Sequence, residues 1–437
     1  MKKIFTPFFC LLISFTFFTN SNAINGNEPL KVISDQNNSN SFEKCATVRF
    51  NRLELEKNPQ FKENLESIER FTKSYEKTDN LIITIPVVVH VIYNTAEQNI
   101  SDAQVMSQID VLNRDFARLN EDTVNTPAPF KSLGANTQIQ FCIAQRTPDN
   151  QVTNGITRTM TNVVSFSDSD TSIFYTSLGG VDIWDRDRYL NFYVINMTGT
   201  TLGYAQFPGM SPEKDGVVIG YRYFGTIGTV VPPIDKGRTA THEAGHWLNL
   251  FHIWGDEPDC AQDDEVADTP LQGNNNNGCP GFPHTDACSG AAPGVMFMNY
   301  MDYVDDGCMN IFTIGQSTRM NAAIAGPRAS LMNSNGCVPL GINTLSTEVP
   351  DNFVLQQNYP NPFNPNTNII FSIPKSSFVT LKIFDISGKE ITTLVNQYMQ
   401  TGTYKVDWYA SGYATGMYLY TIETEGYTQT RKMILAK

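Results

Sequence analysis

Within the run His242-Glu243-Ala244-Gly245-His246-Trp247-Leu248-Asn249-Leu250-Phe251-His252 the chain places three histidines and a glutamate. Residues four apart on an α-helix lie one turn apart on the same face, so His242 and His246 can present two imidazoles to one point. His252 follows six residues later and cannot share that face in a straight helix. The chain must turn sharply near Asn249, and asparagine is, after glycine, the residue that best tolerates a left-handed backbone. Two imidazoles at this spacing and a third returned by the turn describe a zinc site with an open position. Glu243, beside them, is placed to take a proton from an attacking water. A helix with two surface histidines is the bland alternative, and it leaves the third unexplained. His90 and His284, the remaining histidines, have no such partners and read as structural or surface residues.

The segments around the motif can build a core for it. Leu81-Ile82-Ile83-Thr84-Ile85-Pro86-Val87-Val88-Val89-His90-Val91-Ile92 is a β-branched run, the mark of a strand buried on both faces. Asn99-Ile100-Ser101 then introduces a helix with Ser101 and Gln104 at capping-box spacing and Val105, Ile109, Leu112, Phe116 and Leu119 alternating by four and three. Strands are expected at 138–144, 189–196 and 216–221, so β-α-β-β order precedes the histidine helix and an α/β (α+β) domain follows. Beyond Leu340 the texture changes to Pro/Asn punctuation and short alternating stretches at 380–384, 404–408, 417–424 and 428–435. With no helix among them, they predict a small β-sandwich.

At the other end, Met1-Lys2-Lys3, an apolar stretch from Ile4 to Phe18 and the small-x-small Ser21-Asn22-Ala23 make residues 1–23 a signal peptide. No stop-transfer pattern follows, so no transmembrane segment is expected in the mature protein. Residues 24–78 combine an Asn/Ser-rich tail with one amphipathic helix (Phe61, Leu65, Ile68, Phe71), too little to fold alone, and read as a pro-segment lying on the next domain. Arg70, Lys73 and Lys77 are candidate maturation sites. The expected domains are thus 79–343, carrying the motif, and 344–437, the sandwich.

The net charge of −13 has one source: residues 81–343 hold 27 Asp/Glu against 13 Lys/Arg. Such a field repels phosphate backbones and argues against nucleic-acid binding. Export permits disulfides, and removing Cys10 with the signal leaves seven cysteines of the eight. Cys260, Cys279, Cys288 and Cys308 crowd together, which leaves three pairings open. Cys142 and Cys337 could form a further bridge, and Cys45 stands alone.

A second distant motif now becomes recognisable. His242-Glu243-x-x-His246-x-x-Asn249-x-x-His252 with Met298-Asn299-Tyr300-Met301-Asp302-Tyr303 resembles the metzincin metalloproteases, whose zinc helix sits above a methionine-containing turn. Asn249 stands where the family usually has glycine. Asp268-Thr269-Pro270, the Asp305-Asp306-x-Cys308 run and Leu202-Gly203-Tyr204-Ala205-Gln206-Phe207-Pro208 are similar to the pappalysin family, of which ulilysin is a small microbial representative, over about 82–337. The resemblance implies a twisted mixed sheet with an active-site helix, and peptide-bond hydrolysis with His242, His246 and His252 as zinc ligands. It implies Glu243 as general base, Tyr303 near the oxyanion and Met301 as a packing floor. It further implies crossed disulfides Cys260–Cys288 and Cys279–Cys308, and structural calcium at Asp264 and Thr269. Asp306 would face the pocket for the residue after the scissile bond, favouring Arg or Lys there, and Cys45, in Lys44-Cys45-Ala46-Thr47, would be a cysteine switch that makes the chain a zymogen.

Finally, Gln357-Asn358-Tyr359-Pro360-Asn361-Pro362-Phe363-Asn364-Pro365, Gly402-x-Tyr404-x-Val406 and Gly412-Tyr413-Ala414-x-Gly416-Met417-Tyr418 resemble the type IX secretion C-terminal sorting domain. The partners implied are that secretion machinery and protein or peptide substrates, and the location is outside the cell or attached to its surface. An inert surface adhesin on a metzincin scaffold is the rival reading. Such a relative would be expected to have lost Glu243 or a ligand, and all four positions are intact.

Overall fold

A computed structural model of the chain describes residues 44–77, 82–151, 153–256, 260–290, 293–338, 341–410 and 413–436, so the expected signal peptide lies outside the described residues. The described part opens with two helices where the sequence pattern predicts one, α1 (Thr47–Lys57) and α2 (Gln60–Ser74). Strand β1 (Ile83–Tyr93), helix α3 (Asp102–Phe116) and strands β2 (Ile139–Ile143), β3 (Ile156–Met160), β4 (Leu190–Ile195), β5 (Gly203–Ala205) and β6 (Val217–Gly220) lead to the histidine helix α4 (Arg238–Trp247). Helix α5 (Ile314–Ala325) follows.

Six strands form one mixed sheet in the order β2-β1-β4-β6-β5, with β3 also on β1. All pairs are parallel except β5, which runs antiparallel to β6 at the edge. The β-branched run is its centre, and the period-2 alternation decides which side chains go where. Ile85, Val87, Val89 and Val91 face α3 and α4 in the main core, whereas Ile92 joins Phe174, Tyr193 and Phe50 of α1 on the opposite face. His90 lies on that second face, fully buried, with its ring nitrogens hydrogen-bonded to Thr157 (2.7 Å) and Asn191 (3.0 Å), a structural role.

Local signals act as expected at α3 with two differences. Ser101 Oγ accepts the Gln104 N–H at 3.1 Å, but the Gln104 amide reaches away to the carbonyl of Phe224 (2.9 Å), so the capping box is half formed. The helix also stops at Phe116, leaving Leu119 exposed. Three disulfides, Cys142–Cys337, Cys260–Cys288 and Cys279–Cys308, tie the domain together, and Cys45 is free and buried.

The C-terminal region has its own core between two antiparallel four-stranded sheets. Strands β7 (Ile342–Ser346), β12 (Gly402–Tyr409), β9 (Asn366–Ile373) and β8 (Val354–Leu355) form one; β11 (Glu390–Met399), β10 (Ser377–Asp385), β13 (Gly416–Thr424) and β14 (Tyr427–Leu435) form the other. Because β7 begins at Ile342 and pairs with β12, the sandwich starts before the boundary expected at 343/344. No helix among the described residues is long and apolar enough to cross a membrane.

Candidate metal centre

Helix α4 is fully buried and is held at both ends. At its head, Asp306 Oδ2 accepts the N–H groups of Lys236 (2.8 Å) and Arg238 (3.2 Å). The Arg238 guanidinium contacts Asp115 (2.9 Å), Asp122 (3.1 Å) and the Tyr300 hydroxyl (2.6 Å). At its foot the backbone reverses at Asn249, which has φ of 73° as the spacing requires, and the Leu250 N–H returns to the Gly245 carbonyl at 2.9 Å. That turn returns His252 to the other two rings.

The three Nε2 atoms lie 3.0, 3.1 and 3.2 Å from one another. Each ring has an acceptor on its far side: His242 Nδ1 on the Tyr300 carbonyl (2.7 Å), His246 Nδ1 on the Leu250 carbonyl (2.7 Å) and His252 Nδ1 on the Asp256 carboxylate. A carbonyl oxygen can only accept, so the protons of His242 and His246 sit on Nδ1 and the Nε2 lone pairs point inward. Burial holds the basicity of His242 and His246 well below the ordinary value, reinforced by the neighbouring ring of His252. The inward lone pairs of His242 and His246 converge with the His252 ring, and nitrogen donors gathered in this way are the donor set zinc takes. Cys45 Sγ joins the cluster, with all four ligand atoms within 4.8 Å.

Glu243 stands at this cluster, buried beside the edge strand. Gly203 permits the approach: a Cβ there would lie 3.1 Å from Glu243 Cγ and 2.9 Å from the Val218 carbonyl. Burial pushes the Glu243 carboxyl up to about 7, against hydrogen bonds from Cys45 and Thr47 that pull it down. Burial also pushes the Cys45 thiol well up, and the charge of Glu243 adds to this.

Below the helix, Met301 packs so closely that a Cβ on Gly245 would come within 2.6 Å of its sulfur. Its turn is braced by paired amides of Asn299 and Gln316 (2.8 and 3.0 Å). Tyr303 donates its hydroxyl to the carbonyl of Cys45 at 3.2 Å, a peptide carbonyl lying in the cleft. Asp306 lines the pocket beside His242, Glu243 and Tyr303. Asp264 and Thr269 lie together, the Thr269 hydroxyl donating to Asp264 Oδ1 at 2.7 Å, while Asp268 is committed to α5 through Thr313 Oγ1 (2.6 Å) and Gly315 N–H (2.9 Å).

Several contacts at the site carry no sequence signal. Thr47 Oγ1 donates to Glu243 Oε2 at 2.8 Å and accepts the Ala205 N–H at 2.8 Å. Asn51 pairs its amide with the Ala205 carbonyl (2.9 Å) and the Phe207 N–H (3.0 Å), and Glu69 takes the buried Arg319 guanidinium at 3.0 and 2.6 Å. Residues 44–74 therefore cover the cleft and occupy its edge strand.

The chain is similar to known proteins in two separate regions. The family described as pregnancy-associated plasma protein-A matches residues 179–325, and the secretion system C-terminal sorting domain matches residues 357–436. An extracellular metalloprotease of Arthroderma otae is 31% identical over 254 residues, covering 56% of this chain and 80% of the fungal protein. Among solved structures, a promirolysin mutant of Tannerella forsythia is 46% identical with a TM-score of 0.63, covering 67% of this chain and 97% of that one. Mature mirolysin of the same organism, in complex with a cleaved peptide, is 52% identical with a TM-score of 0.57, covering 59% and 97%.

Proposed function

Because this chain belongs to the pappalysin family of secreted zinc metalloproteases and ends in a type IX sorting domain, we propose that it is a latent endopeptidase that, once released, cuts protein chains before arginine or lysine. The observation that carries the reading is the convergence of three buried imidazoles beside a buried glutamate under a pro-segment thiol. His242, His246 and His252 would hold the metal. Bound there, zinc supplies a Lewis acid that makes water nucleophilic near neutral pH and polarises the carbonyl of the scissile bond.

The protein's own groups do the rest. Glu243 takes the proton of the attacking water on its carboxylate and hands it to the leaving amine nitrogen. Tyr303 donates to the oxygen that becomes negative, a role supported by its hydrogen bond to the Cys45 carbonyl. Met301 packs under α4 and fixes the height of the rings. Cys45 keeps substrate and water out until the pro-segment leaves. Asp306 contributes negative charge to the pocket wall, which is the basis for the basic preference.

The test is a peptide library offered to the matured full chain with and without chelator. Chelator-sensitive cleavage clustered before Arg or Lys is expected. Cleavage without basic preference keeps the protease and removes the role of Asp306; a folded, zinc-loaded sample that cuts nothing overturns the reading.

Calcium is the second metal in this proposal. Asp264 Oδ2 is buried with no hydrogen-bond partner among the described residues, and burial pushes its carboxyl up to about 7, so the site has an unanswered hard oxygen of the kind calcium takes. Millimolar calcium should raise the melting temperature of the zinc-loaded chain by mass action, and Asp264→Ala should remove that gain. An equal gain in the variant would exclude Asp264 as a ligand.

A further inference from the structure

The three ring acceptors differ in where they come from along the chain. His246 Nδ1 meets the Leu250 carbonyl and His252 Nδ1 the Asp256 carboxylate, each four residues on, so the turn that gathers these rings also orients them. His242 is answered from 58 positions away, by the Tyr300 carbonyl at 2.7 Å. That bond joins α4 to the methionine turn, and no local turn sets its geometry.

Arg238 spans the same gap. It lies one helical turn before His242, on the same face of α4. Its guanidinium donates to the Tyr300 hydroxyl at 2.6 Å and to the Met309 carbonyl at 3.3 Å. Asp115 of α3 (2.9 Å) and both oxygens of Asp122 (3.1 Å each) hold it from the other side. The Tyr300 hydroxyl is in turn hydrogen-bonded to Asp115, whose Oδ2 accepts the Thr241 hydroxyl at 2.7 Å. Tyr300 is also held at its N–H, by the Ile311 carbonyl (3.1 Å), and at its ring, by Phe312 (centroids 4.7 Å apart). Backbone, ring and hydroxyl together fix where its carbonyl stands. The side chains of Arg238 and Asp115 are only 7% and 1% exposed. Burying such a pair gains little stability over apolar residues of the same volume, whereas the planar fork of a guanidinium holds several acceptors at set angles.

We infer that Arg238 is a positioning residue for the metal centre: by clamping the Tyr300 hydroxyl against Asp115 it sets the Tyr300 carbonyl that orients His242. This inference rests on the reading of His242, His246 and His252 as zinc ligands. Arg238 and Tyr300 do not touch the metal or the substrate; they act through the His242 ring. The other two rings do not depend on this clamp, because their acceptors are supplied within the turn.

The test is zinc affinity, read by competition with a chromophoric chelator on the full-length chain, together with the melting temperature of the metal-free protein. Tyr300→Phe keeps the ring on Phe312 and removes only the hydroxyl, and it should raise the zinc Kd on the order of tenfold, as loss of a group supporting a metal ligand does. Arg238→Lys keeps a positive charge beside Asp115 and Asp122 but loses the fork. It should raise the Kd by a similar factor, and the double variant should bind zinc no more weakly than the weaker single one. A Tyr300→Phe chain that melts earlier without metal yet binds zinc as the wild type does would make the clamp a stability element only and overturn the inference. Single effects on Kd that multiply in the double variant would also overturn it, since Arg238 would then not act through Tyr300. A wild-type chain that takes up no zinc removes the metal centre itself, and the inference with it.

Discussion

Glu243→Gln is expected to lower kcat by about three orders of magnitude, in the range of a lost general acid–base group, while zinc content and melting temperature stay near wild type. The amide has the shape of the carboxylate and, in the latent chain, can still accept the Thr47 hydroxyl proton, which reaches Glu243 Oε2 at 2.8 Å. It cannot take a proton from water. Because Glu243 is buried and its carboxyl is already raised to about 7, the neutral replacement also avoids a desolvation penalty, so a stability loss is not expected to obscure the result. Single-turnover kinetics with metal analysis on the same sample check this. Activity within tenfold of wild type would remove Glu243 from the proton path.

The second large effect concerns latency. Cys45→Ala in the full chain should release activity without cleavage of the pro-segment. A four-ligand zinc site contributes about 10–16 kcal/mol, so one thiolate is worth roughly 3 kcal/mol. At about 1.4 kcal/mol per factor of ten, this predicts on the order of 10²-fold more activity than the intact zymogen. The release should be incomplete, because Thr47 still bonds Glu243 and Asn51 still pairs with the edge strand around Ala205. Adding Thr47→Val should raise it further. The measurement is peptide hydrolysis by full-length proteins confirmed intact by mass spectrometry. A Cys45→Ala chain as silent as wild type would place latency in the helices instead of the thiol.

How much of this was legible depended on whether the determinant was local. Asn249 was legible because a third histidine six residues past the second demands a reversal, and the backbone reverses there with φ of 73°. The central strand and α3 were legible through their apolar periods. Helix α1 was not: its buried face is Thr47, Phe50, Asn51 and Glu54, a helical spacing occupied mostly by polar residues. A hydrophobic period cannot register a face that docks through hydrogen bonds. Strand β5 was equally silent, since Gly203, Tyr204 and Ala205 carry no strand propensity beyond the tyrosine. It is a strand because β6 lies beside it and the pro-segment covers its free edge.

The sequence by itself determined the histidine cluster, the turn that gathers it, the catalytic class and the order of the modules, because each is written in spacings of a few residues that backbone geometry converts directly into position. Only the tertiary structure decided which acceptors orient the rings, that Asp306 holds the head of α4 while Asp305 meets Lys44, and that Thr47 reaches Glu243. Lys44 meets Asp305 across 261 positions and Thr47 meets Glu243 across 196. No local pattern encodes such pairs; the packed sheet and its edge strand bring them together, and the energy of each contact exists only once both sides are buried.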